Sequence, residues 1–188
     1  MKMNDTIIAL ATPSGIGALA VIRVTGEDAI KIIGNCIFNP KKYFDAKSSV
    51  VKIYSFVNKK KEIIDEITAI KYFSPHSFTG ENMVEIICHG SRIVVEKILE
   101  AAIYEGARYA GKGEFTRRAF LNGKTTLEKA ESINQIINSS SLLEHRNAMY
   151  SYFEGSSKLI NKWKKWVENI LINTETEIEF NDGVEVFE

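Results

Sequence analysis

Cysteine is scarce in this 188-residue chain, which holds only Cys36 and Cys88. Two cysteines build no disulfide framework, and neither stands in a CxxC or Cys/His metal spacing. Histidine is as sparse, with His76, His89 and His145 scattered along the sequence. Proline occurs only at Pro13, Pro40 and Pro75, so everything beyond about residue 112 lacks the strongest helix breaker. No apolar run approaches the roughly 18 residues of a membrane span. The apolar stretch Ile7 to Ala11 is too short for a signal-peptide core, which makes the cytoplasm the expected compartment. Net charge is absent too, with 24 Lys plus Arg against 24 Asp plus Glu. The usual argument for a nucleic-acid binder, a strong basic excess, therefore fails, although a local basic patch stays open.

What is present is a globular composition. Hydrophobic residues make up 45% and charged residues 26%, enough to bury a core and to exclude disorder of the whole chain. The length allows one ordinary domain or two small ones. The first part reads as strands alternating with turns and two helical patterns. Strands are expected over 7–11, 18–24, 50–57, 63–73 and 83–88, with a short one over 107–110. Asn58 to Lys61 is the turn of a hairpin. Thr25 looks like the N-cap of a helix whose apolar stripe is Ala29, Ile30, Ile33 and Ile37. A second helix is expected over 91–104, with Gly106 near its C-terminal cap. Helices then dominate: 114–121, another that carries Leu127, Ala130, Asn134 and Ile137 and stops at Ser139 to Ser141, and a long one over 142–179. In the last, Met149, Ser156, Trp163 and Ile170 recur every seven residues, with Tyr152, Leu159 and Trp166 beside them. This seam reads as bundle core rather than a base-stacking surface. It is too long for the preceding helix to cover, so part of it should seek a partner.

Three positions stand out chemically. Arg23 ends a strand with two apolar faces, where an unpaired guanidinium is costly. Glu85 repeats the situation between Val84 and Ile86. The two read either as an internal pair or as parts of a ligand site, in which Glu85 could accept two parallel N–H donors such as the 2-amino-4-oxo edge of a pterin or guanine. The segment Gly111 to Lys124 gathers Lys112, Arg117, Arg118 and Lys124 around Phe115 and Phe120. It reads as a solvated helix face or as a site for carboxylates or tRNA phosphates. Gly123-Lys124-Thr125 imitates the end of a phosphate loop, but Arg118 stands at the required first glycine and a helix precedes it, so nucleotide binding is not expected here. The Phe78 to Asn82 turn leads into the strand of Glu85, and His89-Gly90 closes that strand before the next helix, either as an ordinary βα turn or as a loop and helix N-terminus that could hold an anion, with His89 an ordinary strand-end histidine.

Taken together, several segments resemble one family, the tRNA modification GTPase MnmE (TrmE). They are Asp5-Thr6-Ile7-Ile8-Ala9 running into Ala11-Thr12-Pro13, Ile22-Arg23-Val24-Thr25-Gly26, Ser77-Phe78-Thr79-Gly80-Glu81 with Val84-Glu85, and His89-Gly90. To these add Gly113-Glu114-Phe115-Thr116-Arg117-Arg118-Ala119-Phe120-Leu121-Asn122-Gly123-Lys124, then Leu127 and Ala130-Glu131-Ser132-Ile133, and the acidic tail from Phe180 to Glu188. Ile16 stands where many members have Arg, and Asn82 where Asp is common.

The resemblance implies an α+β fold. A mixed-sheet folate-binding and dimerisation domain over 1–117, similar to that of the glycine-cleavage aminomethyltransferase, would precede a partial helical domain over 118–188. It implies that Arg23, Glu85 and Lys124 contact a one-carbon folate such as 5-formyltetrahydrofolate. It further implies a homodimer formed through the N-terminal domain, and work with the flavoprotein MnmG on carbon 5 of the tRNA wobble uridine. GTP, Mg and K would enter only through a GTPase domain that this sequence does not contain; nor does it contain the family's C-terminal Cys motif. The chain is thus expected to be a piece of a longer protein or a naturally shortened product, with no catalytic residue and no metal ligand of its own. Two other readings stand beside this one: a dimerisation module in which Arg23 and Glu85 are merely a structural pair, and a stand-alone folate-dependent aminomethyltransferase.

Overall fold

The structure, a computed structural model, describes residues 5–153 and 155–182. The chain divides into two compact units, Met1–Thr125 and Thr126–Glu188. The division expected at 117/118 cuts through a helix, Glu114–Leu121, that belongs wholly to the first unit.

The first unit is built on a mixed six-stranded sheet, so the chain is α+β as expected. Its strands are β1 Ile7–Leu10, β2 Leu19–Thr25, β3 Lys52–Val57, β4 Ile63–Tyr72, β5 Met83–His89 and β6 Arg108–Tyr109, in the order β3-β4-β5-β2-β1-β6. All neighbours are antiparallel except β1 and β6. Helices α1 Ala29–Asn35 and α3 Arg92–Tyr104 supply apolar side chains to a core shared with one sheet face. Alternation explains the choice of face: Ala20, Ile22 and Val24 of β2 and Val84, Ile86 and Cys88 of β5 are buried in that core. The opposite side chains, among them Val21, Arg23, Glu85 and Ile87, are only half-buried, and Leu19 and Ile53 are exposed. Arg23 and Glu85 therefore do not lie between two apolar layers. They sit on the open face of the sheet.

Several local expectations change. Thr25 is no helix cap. It ends β2, fully buried, and its hydroxyl meets Thr79 Oγ1 at 2.6 Å and donates to Glu81 Oε2 at 3.1 Å. The helix begins instead at Ala29, and Ile37 lies beyond it, bridged to Phe56. A short helix, α2 Pro40–Phe44, opens on a proline whose missing N–H would have no partner in a first turn. The hairpin tip is as read: Asn58 Oδ1 accepts from the N–H groups of Lys60 and Glu62 at 2.9 and 3.1 Å. Lys71 is buried on the core side of β4, and its Nζ donates to Phe44 O at 3.0 Å and to Tyr43 O. Desolvation lowers the pKa of this ammonium.

The first unit closes with α4 Glu114–Leu121, over the residues expected. The second unit holds α5 Leu127–Asn138, α6 Leu142–Phe153 and α7 Gly155–Asp182. Thr126 caps α5 by accepting from Lys129 N–H at 3.2 Å. The serine run ends α5 and starts α6, with Ser141 Oγ accepting from Glu144 N–H at 3.2 Å. The single long helix is thus two. Gly155, at φ +59°, opens α7 in the left-handed region that a side chain disfavours. Among the described residues the seam is mostly open: Met149 and Tyr152 are half-buried, but Phe153, Trp163 and Trp166 are exposed, as are Val167 and Ile170. Ser156 and Leu159 of the seam have side chains outside the described ones, as does the acidic tail beyond Asp182.

Candidate functional site

On the open face of the sheet, β2 and β5 align Arg23 directly with Glu85. Arg23 Nε donates to Glu85 Oε1 at 2.7 Å. The other carboxylate oxygen accepts from Tyr72 Oη at 3.3 Å. Tyr72 reaches it because β4 pairs with β5 so that Tyr72 stands opposite Met83 and Ile70 opposite Glu85. Burial, then the neighbouring Glu85 charge, pushes the Tyr72 phenol above its usual range, so it stays a donor.

Glu85 and Lys124 line one open pocket of about 390 Å³, together with Tyr72, His76, Ser77 and Phe78. That volume lies at the small end of the ~300–1,000 Å³ typical of small-molecule sites. Arg23 approaches from the neighbouring strand: its guanidinium lies over the Phe78 ring, 5.2 Å from the centroid. The three residues singled out in the sequence therefore meet in one region. Lys124 arrives from the turn after α4, with its stem beside Gly80 of the Ser77–Glu81 loop. What the sequence did not single out were Tyr72 and His76. Tyr72 needs the β4–β5 register, and no local pattern encodes that.

Chemically the site offers a carboxylate already held by two donors, an aromatic ring beneath a guanidinium, and an exposed ammonium. Such a set suits a ligand with a planar edge of paired N–H donors and an anionic or carbonyl end. Among the described residues no group of three or more His, Cys, Asp or Glu could hold a metal ion. His89 ends β5 and meets Asp65 Oδ1 through Nδ1 at 2.7 Å, away from this pocket.

The basic segment divides. Arg118 is buried and internally engaged, so it is not available to phosphates. Its guanidinium contacts Asp5 Oδ1 at 2.6 Å, Glu114 Oε1 at 3.0 Å and Glu81 Oε2 at 3.2 Å. Arg108 completes the cluster, with Nη2 at 2.6 Å from Glu114 Oε1 and Nε on Asp5 Oδ2. The hydrogen bond from Arg108 draws the Glu114 pKa down to about 2 and lowers that of Asp5. Lys112, Arg117 and Lys124 remain exposed. Gly123-Lys124-Thr125 follows a helix rather than a strand, which is not the setting of a phosphate loop.

A larger hollow of about 980 Å³ lies between the Thr12–Gly17 loop and α3. Leu10, Pro13, Leu19, Val95 and Leu99 are among its walls, and its charged pair, Arg92 and Glu96, is exposed and mutually bonded at 2.9 Å. It holds none of the three residues.

Comparison with known proteins gives a consistent answer. A family model described as "GTP-binding protein TrmE N-terminus" matches residues 6–124. Relatives called tRNA modification GTPase MnmE include that of Fervidobacterium nodosum, 42% identical over 97% of this chain and 40% of the relative. Those of Christiangramia forsetii and Thermotoga maritima are 41% and 35% identical over 96% of the chain, and 38% and 39% of the relatives. The chain spans about 40% of the length of the Fervidobacterium relative. The matched span, residues 6–124, contains every residue of the pocket and all of the arginine cluster except Asp5: the chain belongs to the family of the GTP-binding protein TrmE N-terminus.

Proposed function

We propose that the first unit binds a one-carbon tetrahydrofolate, such as 5-formyltetrahydrofolate, for a tRNA-modifying GTPase. The observation that carries this reading is that Glu85 and Lys124 line the same pocket while Arg23 holds Glu85 from the next strand. In it, Glu85 accepts from the 2-amino-4-oxo edge of the pterin, and Lys124 and Arg23 offer cations to carbonyl or carboxylate groups. The bound folate would supply a one-carbon unit. The chain's own residues bind and orient it. The first unit then corresponds to the folate-binding domain of the glycine-cleavage aminomethyltransferase.

In the whole protein the activity is modification of the tRNA wobble uridine at carbon 5, coupled to GTP hydrolysis and carried out with the flavoprotein MnmG in the cytoplasm. GTP, Mg and K belong to a GTPase domain of that longer protein. The names of the relatives support the tRNA-modifying and GTPase parts. Two copies of this chain pair through the first unit, a reading supported by the open sheet face that exposes Leu19 and Ile53.

A second reading is favoured by one observation. Both oxygens of Glu85 already have protein donors, as a purely structural pair would require. Calorimetric titration of the chain with 5-formyltetrahydrofolate separates the two. Saturable binding of one folate per chain supports the site, and no heat of binding returns Arg23 and Glu85 to a structural role.

A further inference from the structure

Arg23 and Glu85 are fixed by strand pairing, but Lys124 lies outside regular structure and must be held by other means. The turn after α4 folds back on the helix end: Gly123 N–H donates to Phe120 O at 3.0 Å and Lys124 N–H to Ala119 O at 2.8 Å. The Lys124 stem then lies along Gly80. A Cβ at that glycine, whose φ is +79°, would stand 3.0 Å from Lys124 Cγ and 3.2 Å from Cδ. The residues flanking Gly80 are both tied to α4 or its end. Asn122 Nδ2 donates to Thr79 O at 2.7 Å, and Arg118 Nη1 donates to Glu81 Oε2 at 3.2 Å. Thr79 is fully buried, with its hydroxyl 2.6 Å from that of Thr25 on β2. The shelf under the Lys124 stem is thus fixed to the sheet, and Asn122 fixes the lysine-bearing turn to the shelf.

We propose that Asn122 is a positioning residue for the pocket, acting through Lys124 and not by touching ligand. Its bond to the Thr79 carbonyl limits the rotamers open to the turn and sets where the ammonium enters the space beside Glu85. The effect on affinity rests on the folate reading; the effect on Lys124 itself does not.

The test uses the full chain with Asn122→Ala, Lys124→Ala and the double variant, titrated with 5-formyltetrahydrofolate. Asn122→Ala is expected to weaken binding about five- to tenfold, the scale of one lost hydrogen bond. With Lys124 already replaced by Ala, the same change is expected to alter affinity by no more than about twofold. Equal losses in both backgrounds overturn the proposal, since a merely structural Asn122 acts whether or not Lys124 is there. A second measurement needs no folate. Lysines are tagged by reductive methylation with carbon-13, and the Lys124 signal is identified by its loss in Lys124→Arg. Asn122→Ala is expected to move that signal to the position of the mobile surface lysines; an unmoved signal overturns the proposal. If the parent chain binds no folate, the folate reading falls, and the lysine signal alone decides the role of Asn122.

Discussion

Arg23 Nε stands 2.7 Å from Glu85 Oε1 across paired positions of β2 and β5, on the sheet face that α1 and α3 leave open. The pair is part-buried, with side-chain exposures of 34% and 18%. It therefore contributes modestly to stability and leaves the carboxylate within reach of the pocket. A double-mutant cycle of Arg23→Met and Glu85→Gln in urea unfolding should give a coupling of about 0.5–1 kcal/mol. A coupling several times larger would indicate a buried structural pair.

The arginine cluster predicts an acid-sensitive first unit. Glu114 has its pKa drawn from the ordinary 4.5 down to about 2 by Arg108, and Asp5 is lowered by the same arginine. A carboxylate depressed on folding contributes stability above its unfolded pKa and loses it as pH falls through the folded value. The unfolding midpoint should drop between about pH 4.5 and pH 2, and Glu114→Gln should flatten that drop while lowering stability at pH 7. An unchanged pH profile in the variant would place the acid sensitivity elsewhere.

Nucleotide binding gives a third expectation. Gly123-Lys124-Thr125 caps a helix, and Arg118, at the position a phosphate loop gives to glycine, is buried among three carboxylates. A fluorescent GTP analogue should show no saturable binding to this chain at micromolar protein. Saturation there would contradict the assignment of GTP to a separate domain.

Self-association should follow the sheet rather than the seam. Replacing exposed Leu19 and Ile53 by Lys is expected to yield a monomer by light scattering, with the circular dichroism spectrum retained. Trp163→Gln with Trp166→Gln is expected to leave a dimer. The reverse pattern would move the interface to α7.

The parts of the fold legible in the sequence were those with local punctuation. Gly113 and Asn122-Gly123 bracket α4, and the Ser139 to Ser141 run separates α5 from α6. Positions decided at long range were not legible. Thr25 carries a weak form of the capping pattern, yet its hydroxyl is engaged by Thr79 and Glu81, more than fifty residues away. The seam reads as one helix over 142–179, yet a second helix, α7, opens at Gly155, whose φ is +59°. At the site, Arg23 and Glu85 were visible as charges on apolar strands, and Lys124 through its motif. Tyr72 joins them only through the β4–β5 register, and Arg118 looked like a free cation because its partners Asp5 and Glu81 lie far along the chain.

The central claim is that Glu85 accepts a ligand as well as Arg23. Calorimetry with 5-formyltetrahydrofolate on the parent chain and on Glu85→Ala tests it most directly. The account predicts that the variant, still folded, loses at least about 1.5 kcal/mol of binding free energy, the scale of a hydrogen bond to a charged group. Unchanged affinity in Glu85→Ala would contradict it.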